Sequence, residues 1–475
     1  MSNSVYSQST AAPPAEIDAD GHKKDASLAE MAVKPEGDVI VDAVWGRLDD
    51  QSGPNYRNLG WIRAAVLEIK TQIGLGPLVL NVLGFVPGVI VIIVVAIIIT
   101  WSDYVVGTFK LNHPEVYTLA DVGFLIGGPI GREILGFAYW LEQTAIAGAG
   151  LLSFSVALNA ITGHGTCTVA FVVVGAVLNV LFSSIQTLDR ISIVGWVGLA
   201  GIMSSIITLA VAVGVQDRPS AAPQVGFWSP DTAVARDATF VDAINAVSVV
   251  VFAYAGTPNF FNIVGEMKNQ RDYTKSVITC QAFVTAVYLI IGCVVYHFVG
   301  QYITSPALGS AGPLLKKVCY GLALPGLLVG CVLYTHIPAK YVFVRILRNS
   351  RHLSKNTPVH YIVWFSCVIV NCALSFIIAE AIPFFNDLVG LIGALLGTFI
   401  CIQTEAYMWL WDEWRSPNRG TLKWKALVAM NITFIILGFF VMIAGTYGSV
   451  VAINQSLHDG NTSSPFSCAD NSGST

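Results

Sequence analysis

The stretch KTQIGLGPLVLNVLG, residues 70–84, lies in an apolar run long enough to cross a bilayer, yet Gly74, Gly76 and Pro77 stand at its centre. A membrane helix must pair its backbone N–H and C=O groups internally, because hydrocarbon offers no partners. Glycine and proline at this point therefore predict a broken helix. The backbone N–H and C=O groups left unpaired at the break must form hydrogen bonds with neighbouring protein or with a ligand.

A second apolar run carries the same interruption. In VSVVVFAYAGTPNFFNIVGEM, residues 247–267, Gly256, Thr257 and Pro258 stand near the middle. Paired Gly/Pro interruptions at corresponding positions of two halves indicate the midplane binding site of a transporter. The alternative interpretation is two structural kinks, since both residues are common in membrane helices.

The composition indicates a polytopic membrane protein. Of the 475 residues 54% are hydrophobic and 12% are charged, against about 25% charged in soluble domains. The net charge of −4 gives no sign of nucleic-acid binding. The nine cysteines form no CxxC pair or Cys/His cluster, and the chain has no P-loop, HExxH or Ser/His/Asp spacing. We therefore expect no metal, no cofactor and no enzymatic activity.

The apolar runs predict an all-α integral membrane protein of eleven transmembrane helices. The breaks fall in spans 1 and 6, five spans apart. Because five is odd, spans 1–5 and 6–10 would form a 5+5 inverted repeat, with span 11 as an addition. The predicted spans are 60–84, 87–109, 131–160, 168–187, 191–214, 239–265, 276–300, 317–347, 359–380, 385–410 and 426–452.

The distribution of cationic residues predicts the orientation. With the N-terminus in the cytoplasm, 22 of the 26 Lys and Arg residues fall on cytoplasmic segments, as the positive-inside rule requires. Residues 1–57 then form a disordered cytoplasmic tail, 58–452 the transporter domain, and 453–475 an extracellular or lumenal tail. Asn454 and Asn461 begin glycosylation sequons in that tail. Cys167 and Cys468 both face outside in this topology, so a disulfide between them is possible.

The two breaks together suit a zwitterion. Its carboxylate would accept hydrogen bonds from free N–H groups near Gly74, and its ammonium would donate to free carbonyls near Phe252 to Gly256. Neither break carries an acidic residue to favour a cationic substrate. The predicted substrate is a neutral, aliphatic or aromatic, amino acid. The predicted binding residues are Ile73, Gly74, Leu75, Gly76, Phe252, Ala253, Tyr254, Ala255, Gly256, Thr257 and Asn259, with span 3 residues around 145–149.

These motifs resemble those of the amino acid/auxin permease family, within the amino acid–polyamine–organocation superfamily. TQIGLGPLVLNVLG resembles the family's first-helix motif, and FAYAGTPNFFNIVGEMKNQRDYTKS, residues 252–276, resembles its sixth-helix motif. The layout is similar over residues 60–452, and the polar N-terminal tail looks like that of fungal neutral amino acid permeases. The resemblance implies a leucine-transporter-like fold and proton-coupled uptake. The placement of Pro77 directly after Gly76 departs from many relatives.

Ionisable residues inside the spans are the candidates for coupling. Glu142 is a proton carrier or a structural partner of Gln143. Lys70 is an interface anchor, or a fixed cation standing where sodium-coupled relatives bind the ion. Thr335 and His336 lie in span 8, which in the resembled fold faces span 1 at an ion site; a satisfied core histidine is the alternative. Glu266 is a gate or a structural ion pair. No role is assigned to Asp103, Glu380 or Glu405.

The sequence therefore predicts a secondary active transporter in the lipid bilayer that imports neutral amino acids with protons by alternating access. An amino acid sensor on a transporter fold, or a permease for another small organic solute, are the alternatives. The plasma membrane is favoured over the vacuolar membrane. The sequence gives no oligomeric state.

Overall fold

A computed structural model describes most of the membrane domain. The described residues are 59–74, 79–185, 188–219, 221–347, 350, 352–353, 357–417, 419–458 and 464–472, with backbone alone for 188–194 and for the strand residues 35–36, 39–42 and 46–47. Leu75, Gly76, Pro77 and Asn461 thus lie outside the described residues. Most of the predicted disordered tail does as well, and its disorder stays a prediction.

Helices make up almost all of the described chain. The α-helices are α1 (Trp61–Gln72), α2 (Val79–Leu83), α3 (Phe85–Asn112), α4 (Leu119–Thr162), α5 (Thr168–Ser183), α6 (Leu188–Val215), α7 (Phe240–Ala253), α8 (Thr257–Glu266), α9 (Tyr273–Val299), α10 (Pro313–Leu347), α11 (Pro358–Ala381), α12 (Phe385–Ile392), α13 (Thr404–Glu413) and α14 (Leu422–His458). Two π-helical segments, Gly393–Gly397 and Phe399–Gln403, join α12 to α13.

Short elements complete the fold. Three 3₁₀ helices are Gln270–Asp272, Gly300–Tyr302 and Ala307–Ala311. Near the N-terminus, β1 (Pro35–Glu36), β2 (Val39–Asp42) and β3 (Gly46–Arg47) form an antiparallel sheet in the order β1-β2-β3.

Nine helical units among the described residues are long and apolar enough to cross a membrane, with α7–α8 and α12–α13 each counted as one unit. They establish a multi-pass integral membrane protein. Helix α5, with 16 residues, is apolar but shorter. The α1–α2 pair covers the predicted first span but is interrupted by residues outside the description. Eleven spans and the 5+5 repeat therefore stay predictions.

The second predicted break is present. Helix α7 ends at Ala253, residues 254–256 form a turn, and α8 begins at Thr257 with Pro258 in its first turn. Proline is tolerated there because the first turn of a helix leaves its N–H groups unbonded in any case. Helix α1 likewise ends at Gln72, and α2 begins at Val79.

The third helix begins earlier than predicted. Helix α4 starts at Leu119 rather than near residue 131, and its chain bends at Gly128, which has φ 62° and precedes Pro129. The chain before the bend packs closely against the chain after it, since a Cβ at Gly123 would lie 2.3 Å from the carbonyl oxygen of Gly131. Asp121, the glycines and Pro129 interrupt this segment, which makes it read as a connection and not as a span.

Helices α4 and α10 lie at the centre of the bundle. Helix α10 packs along both α4 and α6, and α11 covers α4 from the other side. Helix α14 is peripheral and presents apolar side chains such as Ile436, Phe440 and Ile443 outward, as lipid contact requires. Asn431, which the sequence places inside span 11, is buried and accepts a hydrogen bond from the Trp101 indole.

The C-terminal segment is fastened to the ends of α4 and α5. Cys468 forms a disulfide with Cys167. The Asn471 amide donates to Ser155 Oγ at 2.9 Å, and the backbone carbonyl of Ala469 accepts from Thr168. Asn454, an exposed residue, lies in the last turns of α14 rather than in a loop. Covalent and polar contacts therefore hold the tail against one end of the bundle.

At the opposite end of the bundle, His113 follows α3 and lies 3.1 Å from Asp412 and 3.5 Å from Glu115. Partial burial lowers the pKa of His113, but the hydrogen bond and charge of Asp412, with the charge of Glu115, outweigh burial and hold the pKa above its usual value. The charged histidine therefore stabilises the fold at low pH.

We expect His113→Gln to lower the thermal unfolding temperature more at about pH 5.5 than at about pH 8.5, on either side of the usual histidine pKa. The contribution is fully present below the unfolded-state pKa and is lost as pH rises through the higher folded-state pKa. It is worth about 0.5–1 kcal/mol. Melting of the detergent-solubilised protein measures it, with His458→Gln as the control. An equal effect at both pH values would contradict the assignment.

Candidate functional site

Two side chains join the two breaks. The Tyr288 hydroxyl, from α9, accepts the Gly74 N–H at 3.3 Å and donates to the Gln72 carbonyl at 2.6 Å, with the Ala253 carbonyl 3.3 Å away. The Gln72 amide donates to the Tyr254 carbonyl at 3.3 Å. Protein groups thus satisfy backbone atoms at the ends of α1 and α7 that a ligand would otherwise satisfy.

A small cavity of about 140 Å³ lies beside these groups. Its walls come from both breaks and from α4, α6, α9, α10 and α12. The described residues that line it include no aspartate or glutamate, and Lys70 is their one charged side chain. They are Lys70, Thr71, Gln72, Ile73, Gly74, Ile146, Ala149, Gly150, Ser153, Ile202, Val249, Phe252, Ala253, Ala255, Tyr288, Gly326, Leu327, Gly330, Tyr334, Phe385 and Val389.

Five predicted binding residues line this cavity: Ile73, Gly74, Phe252, Ala253 and Ala255. The α4 residues at positions 146 and 149 also line it, as expected for the third span. The predicted residues Leu75 and Gly76 lie outside the described residues. Among the described residues, the cavity therefore lies beside both broken segments.

Four other predicted residues do not line the cavity. Tyr254 turns to α9, where its hydroxyl donates to Thr285 at 3.1 Å. Gly256 packs against Thr71 and Gln72. Thr257 and Asn259 are buried; the Thr257 hydroxyl lies beside Asp103 and Cys401, and the Asn259 amide has no hydrogen-bond partner. These residues therefore contact other helices of the bundle and not the cavity.

Sequence reasoning missed the two tyrosines. Tyr288 stands within an apolar run, and the Tyr334 hydroxyl donates to the Thr71 carbonyl at 2.5 Å. A tyrosine inside a membrane span needs a partner for its hydroxyl, and this requirement was the signal available in the sequence. Which backbone group each would meet depends on helix packing.

Lys70 is buried between three helices. Its side chain is 4% exposed. A Cβ at Gly198 of α6 would lie 3.3 Å from Lys70 Cε, and one at Gly330 of α10 would lie 3.6 Å from Nζ. The ammonium thus lies in the interior against glycine backbones rather than at a membrane surface. This placement fits the fixed-cation interpretation.

The other coupling candidates are dispersed. Glu142 is fully buried on α4, and its nearest donor is the Gln143 amide at 3.4 Å. Thr335 accepts from Asn179 of α5 at 2.8 Å, and His336 contacts the Ser183 carbonyl at 3.2 Å. Both α10 side chains therefore face α5, away from α1. The structure does not bring these two residues to the broken helix.

Glu266 belongs to a closed end of the bundle. The Leu59 N–H donates to the Glu266 carbonyl at 3.1 Å, and the Lys268 N–H donates to the Leu59 carbonyl at 2.9 Å. The side chain of Glu266 also interacts electrostatically with Lys340 of α10. Phe260, Phe261 and Met267 are buried behind this pairing. Packed side chains therefore separate the small cavity from this end.

The other end is open. A larger cavity of about 630 Å³ is lined by Val79 and Asn81 of α2, by residues 235–239 before α7, and by Ala246 and Val249 of α7. Val249 also lines the small cavity. Both cavities therefore reach α7 at this residue, and we refer to the larger one as the vestibule. Among the described residues no group of three or more His, Cys, Asp or Glu is arranged to hold a metal ion.

Comparison with known proteins gives a consistent result. A family model described as "Transmembrane amino acid transporter protein" matches residues 57–451. A protein of Gibberella moniliformis named "Transmembrane transporter" is 38% identical over 433 residues, covering 90% of each chain.

Two further relatives extend the comparison. An "N amino acid transport system protein" of Neurospora crassa is 32% identical over 424 residues, covering 87% of this chain and 89% of its own. A plant protein of Arabidopsis thaliana, "Amino acid transporter AVT1J", is 24% identical over 378 residues, covering 76% of this chain and 83% of its own. The matched region contains both breaks and the cavity between them.

Proposed function

Because this chain belongs to the transmembrane amino acid transporter family, we propose that it is a secondary active transporter that imports neutral amino acids together with protons. The observation that carries the proposal is the small cavity between the two breaks. Residues 72–74, Ala253 and Ala255 border it, and its described walls contain no carboxylate. A zwitterion is the ligand that two opposed helix ends of this kind suit.

Electrostatics favour a neutral side chain. A cationic amino acid would bring a second positive charge beside the buried Lys70 ammonium, without an acidic partner in the described walls. Most other wall residues are small or apolar. Ile146, Phe252 and Leu327 offer apolar surface to an aliphatic or aromatic side chain, whose burial is favourable.

Ligand binding would replace contacts that now satisfy the breaks. The ammonium would take the Ala253 and Tyr254 carbonyls, where Tyr288 and Gln72 lie now. A substrate therefore exchanges hydrogen bonds instead of filling a site with free groups. The same exchange links the cavity to the packing of α1 against α9, which offers a route to conformational change.

Two cavities of unequal access fit alternating access. In the proposed orientation the vestibule opens to the outside, and the pairing of Leu59 with Glu266 and Lys268 closes the cytoplasmic end. The disulfide between Cys167 and Cys468 supports an external C-terminus, since disulfides persist in oxidising compartments. We place the transporter in the plasma membrane, with its N-terminus in the cytoplasm.

The test is uptake by proteoliposomes under an imposed proton gradient, acidic outside. We expect labelled leucine and phenylalanine to accumulate, arginine and glutamate to compete poorly, and a protonophore to abolish accumulation. Sodium stimulation without a response to the proton gradient would overturn the coupling. Amino acid binding without flux would instead support a sensor, and better competition by another organic solute would reassign the substrate.

A further inference from the structure

Three carboxyl side chains from three helices are buried together below the small cavity. They are Glu68 of α1, Asp103 of α3 and Glu405 of α13, and each is fully buried. Asp103 interacts electrostatically with both of the others. We refer to these three residues as the carboxyl cluster. None of them takes part in the amino acid cavity described above.

The carboxyl cluster has more acceptor atoms than hydrogen donors. Ser276 donates to Glu68 Oε1 at 2.9 Å, and the Gln281 amide donates to Asp103 Oδ2 at 2.5 Å. In contrast, Glu68 Oε2, Asp103 Oδ1, Gln281 Oε1 and both Glu405 oxygens have no hydrogen-bond partner. Buried polar atoms are normally paired. Hydrogens placed on the carboxyl groups would supply the missing donors.

A neighbouring hydroxyl couples the carboxyl cluster to the second break. Thr257, the first residue of α8, is fully buried, and its hydroxyl lies beside the Asp103 carboxyl and the Cys401 thiol. It belongs to the second broken helix, directly after the turn. A protonated carboxyl can donate to this hydroxyl oxygen, whereas a carboxylate can accept from it.

No protein cation neutralises the carboxyl cluster. Within the described part of the chain, none of the three carboxyls has a lysine, arginine or histidine as a hydrogen-bond or ion-pair partner. A charged carboxylate without a partner is costly inside a membrane. The described residues also contain no set of His, Cys, Asp and Glu arranged for a metal ion. A proton is the cation that this geometry accommodates.

The carboxyl cluster is connected to the amino acid cavity through two amides. The Gln281 amide bridges Asp103 Oδ2 and, at 3.1 Å, Gln72 Oε1. The other end of the Gln72 amide donates to the Tyr254 carbonyl at the second break. A substrate ammonium that takes this carbonyl therefore displaces Gln72, which in turn alters the donor available to Asp103.

We propose that the carboxyl cluster is the proton-binding site of the transporter, with Asp103 as the acceptor and the Gln72–Gln281 amide pair as its link to the amino acid cavity. The proposal rests on the proposed proton-coupled function. An O–H bond forms at Asp103 Oδ1 with a proton from external water, and it breaks when the opened cytoplasmic side supplies water to accept the proton. Glu68 and Glu405 carry further protons, and the carboxyl oxygens of the cluster share these protons through hydrogen bonds.

Other titratable groups face the site from every packed helix. Tyr273 and Cys280 come from α9, Cys401 from the π-helical segment before α13, and Glu142 from α4. All are uncharged or acidic, so none compensates a negative charge. Tyr273 donates its hydroxyl hydrogen to the backbone carbonyl of Asp103 at 3.1 Å and not to its carboxyl.

The test compares Asp103→Asn with wild type in proteoliposomes. Two readouts are needed: leucine accumulation driven by a proton gradient, and leucine counterflow without a gradient. A pH-sensitive dye reports proton entry during uptake. We expect Asp103→Asn to lose accumulation above equilibrium and leucine-dependent proton entry while counterflow persists, with the pH dependence of uptake flattened. Asp217→Asn, an exposed carboxyl in the connection after α6, is the matched control.

Two further variants keep the test decisive if Asp103→Asn misfolds. Glu68→Gln and Thr257→Val should each weaken leucine-dependent proton entry more than counterflow. Retained accumulation and proton entry in a folded Asp103→Asn, or in both further variants where it misfolds, would overturn the proposal. If wild type itself shows no proton-driven uptake, the proposed function has failed rather than the assignment of residues.

Discussion

Lys70→Met is expected to abolish proton-driven amino acid accumulation while leaving the protein folded. Methionine keeps most of the apolar stem but removes the ammonium that lies between α1, α6 and α10. We expect at least a tenfold loss of uptake, corresponding to about 1.4 kcal/mol or more. The expected reason is that the Lys70 amino group, which lies near Gly198 and Gly330, helps to set how α1 packs on these two helices.

Lys70→Arg should fail as well, because the larger planar guanidinium does not fit against two glycine backbones and is not equivalent to an ammonium. The measurement is uptake by proteoliposomes at matched protein content. Lys425→Met, which removes an exposed cation at the start of α14, is the control. Normal uptake by both Lys70 variants would return this residue to the role of a simple anchor.

The main elements of the fold could be predicted from the sequence because the bilayer imposes a simple requirement. Apolar runs predicted the helices from α3 to α14 with few errors, since spanning segments must be long and nonpolar. The break after Ala253 followed from Gly256 and Pro258. The early start of α4 was not predicted, because Gly127, Gly128 and Pro129 resemble a turn that precedes the span.

The candidate site was predictable only in its backbone. Glycine and proline pointed to residues 73–76 and 252–257, five of which line the cavity, because chain interruption is a local property. The contacts of Tyr288, Gln281 and Asp103 were not predictable, since they depend on helices distant in sequence: Gln72 and Gln281 are 209 residues apart. An acidic residue near a span end, such as Asp103, looks solvated until the neighbouring helices are in place.

Gly256→Ala is expected to reduce uptake strongly with little loss of expression. A Cβ at this position would lie 2.7 Å from Thr71 Oγ1 and 2.8 Å from Gln72 Cγ, closer than packed atoms approach. The α1 side chains must shift, and inserting a methylene into a packed interior costs about 1–3 kcal/mol. Displacement of Gln72 would break its bonds to the Tyr254 carbonyl and to Gln281.

Gly321→Ala is the matched control, because no atom lies within 4 Å of a Cβ at that exposed position of α10. Uptake and counterflow should both fall in Gly256→Ala, since the amino acid cavity itself is disturbed. This pattern differs from that expected for Asp103→Asn, in which counterflow persists. Wild-type transport in Gly256→Ala would mean that the contact between α1 and the second break is not required, and the two broken helices would then act separately.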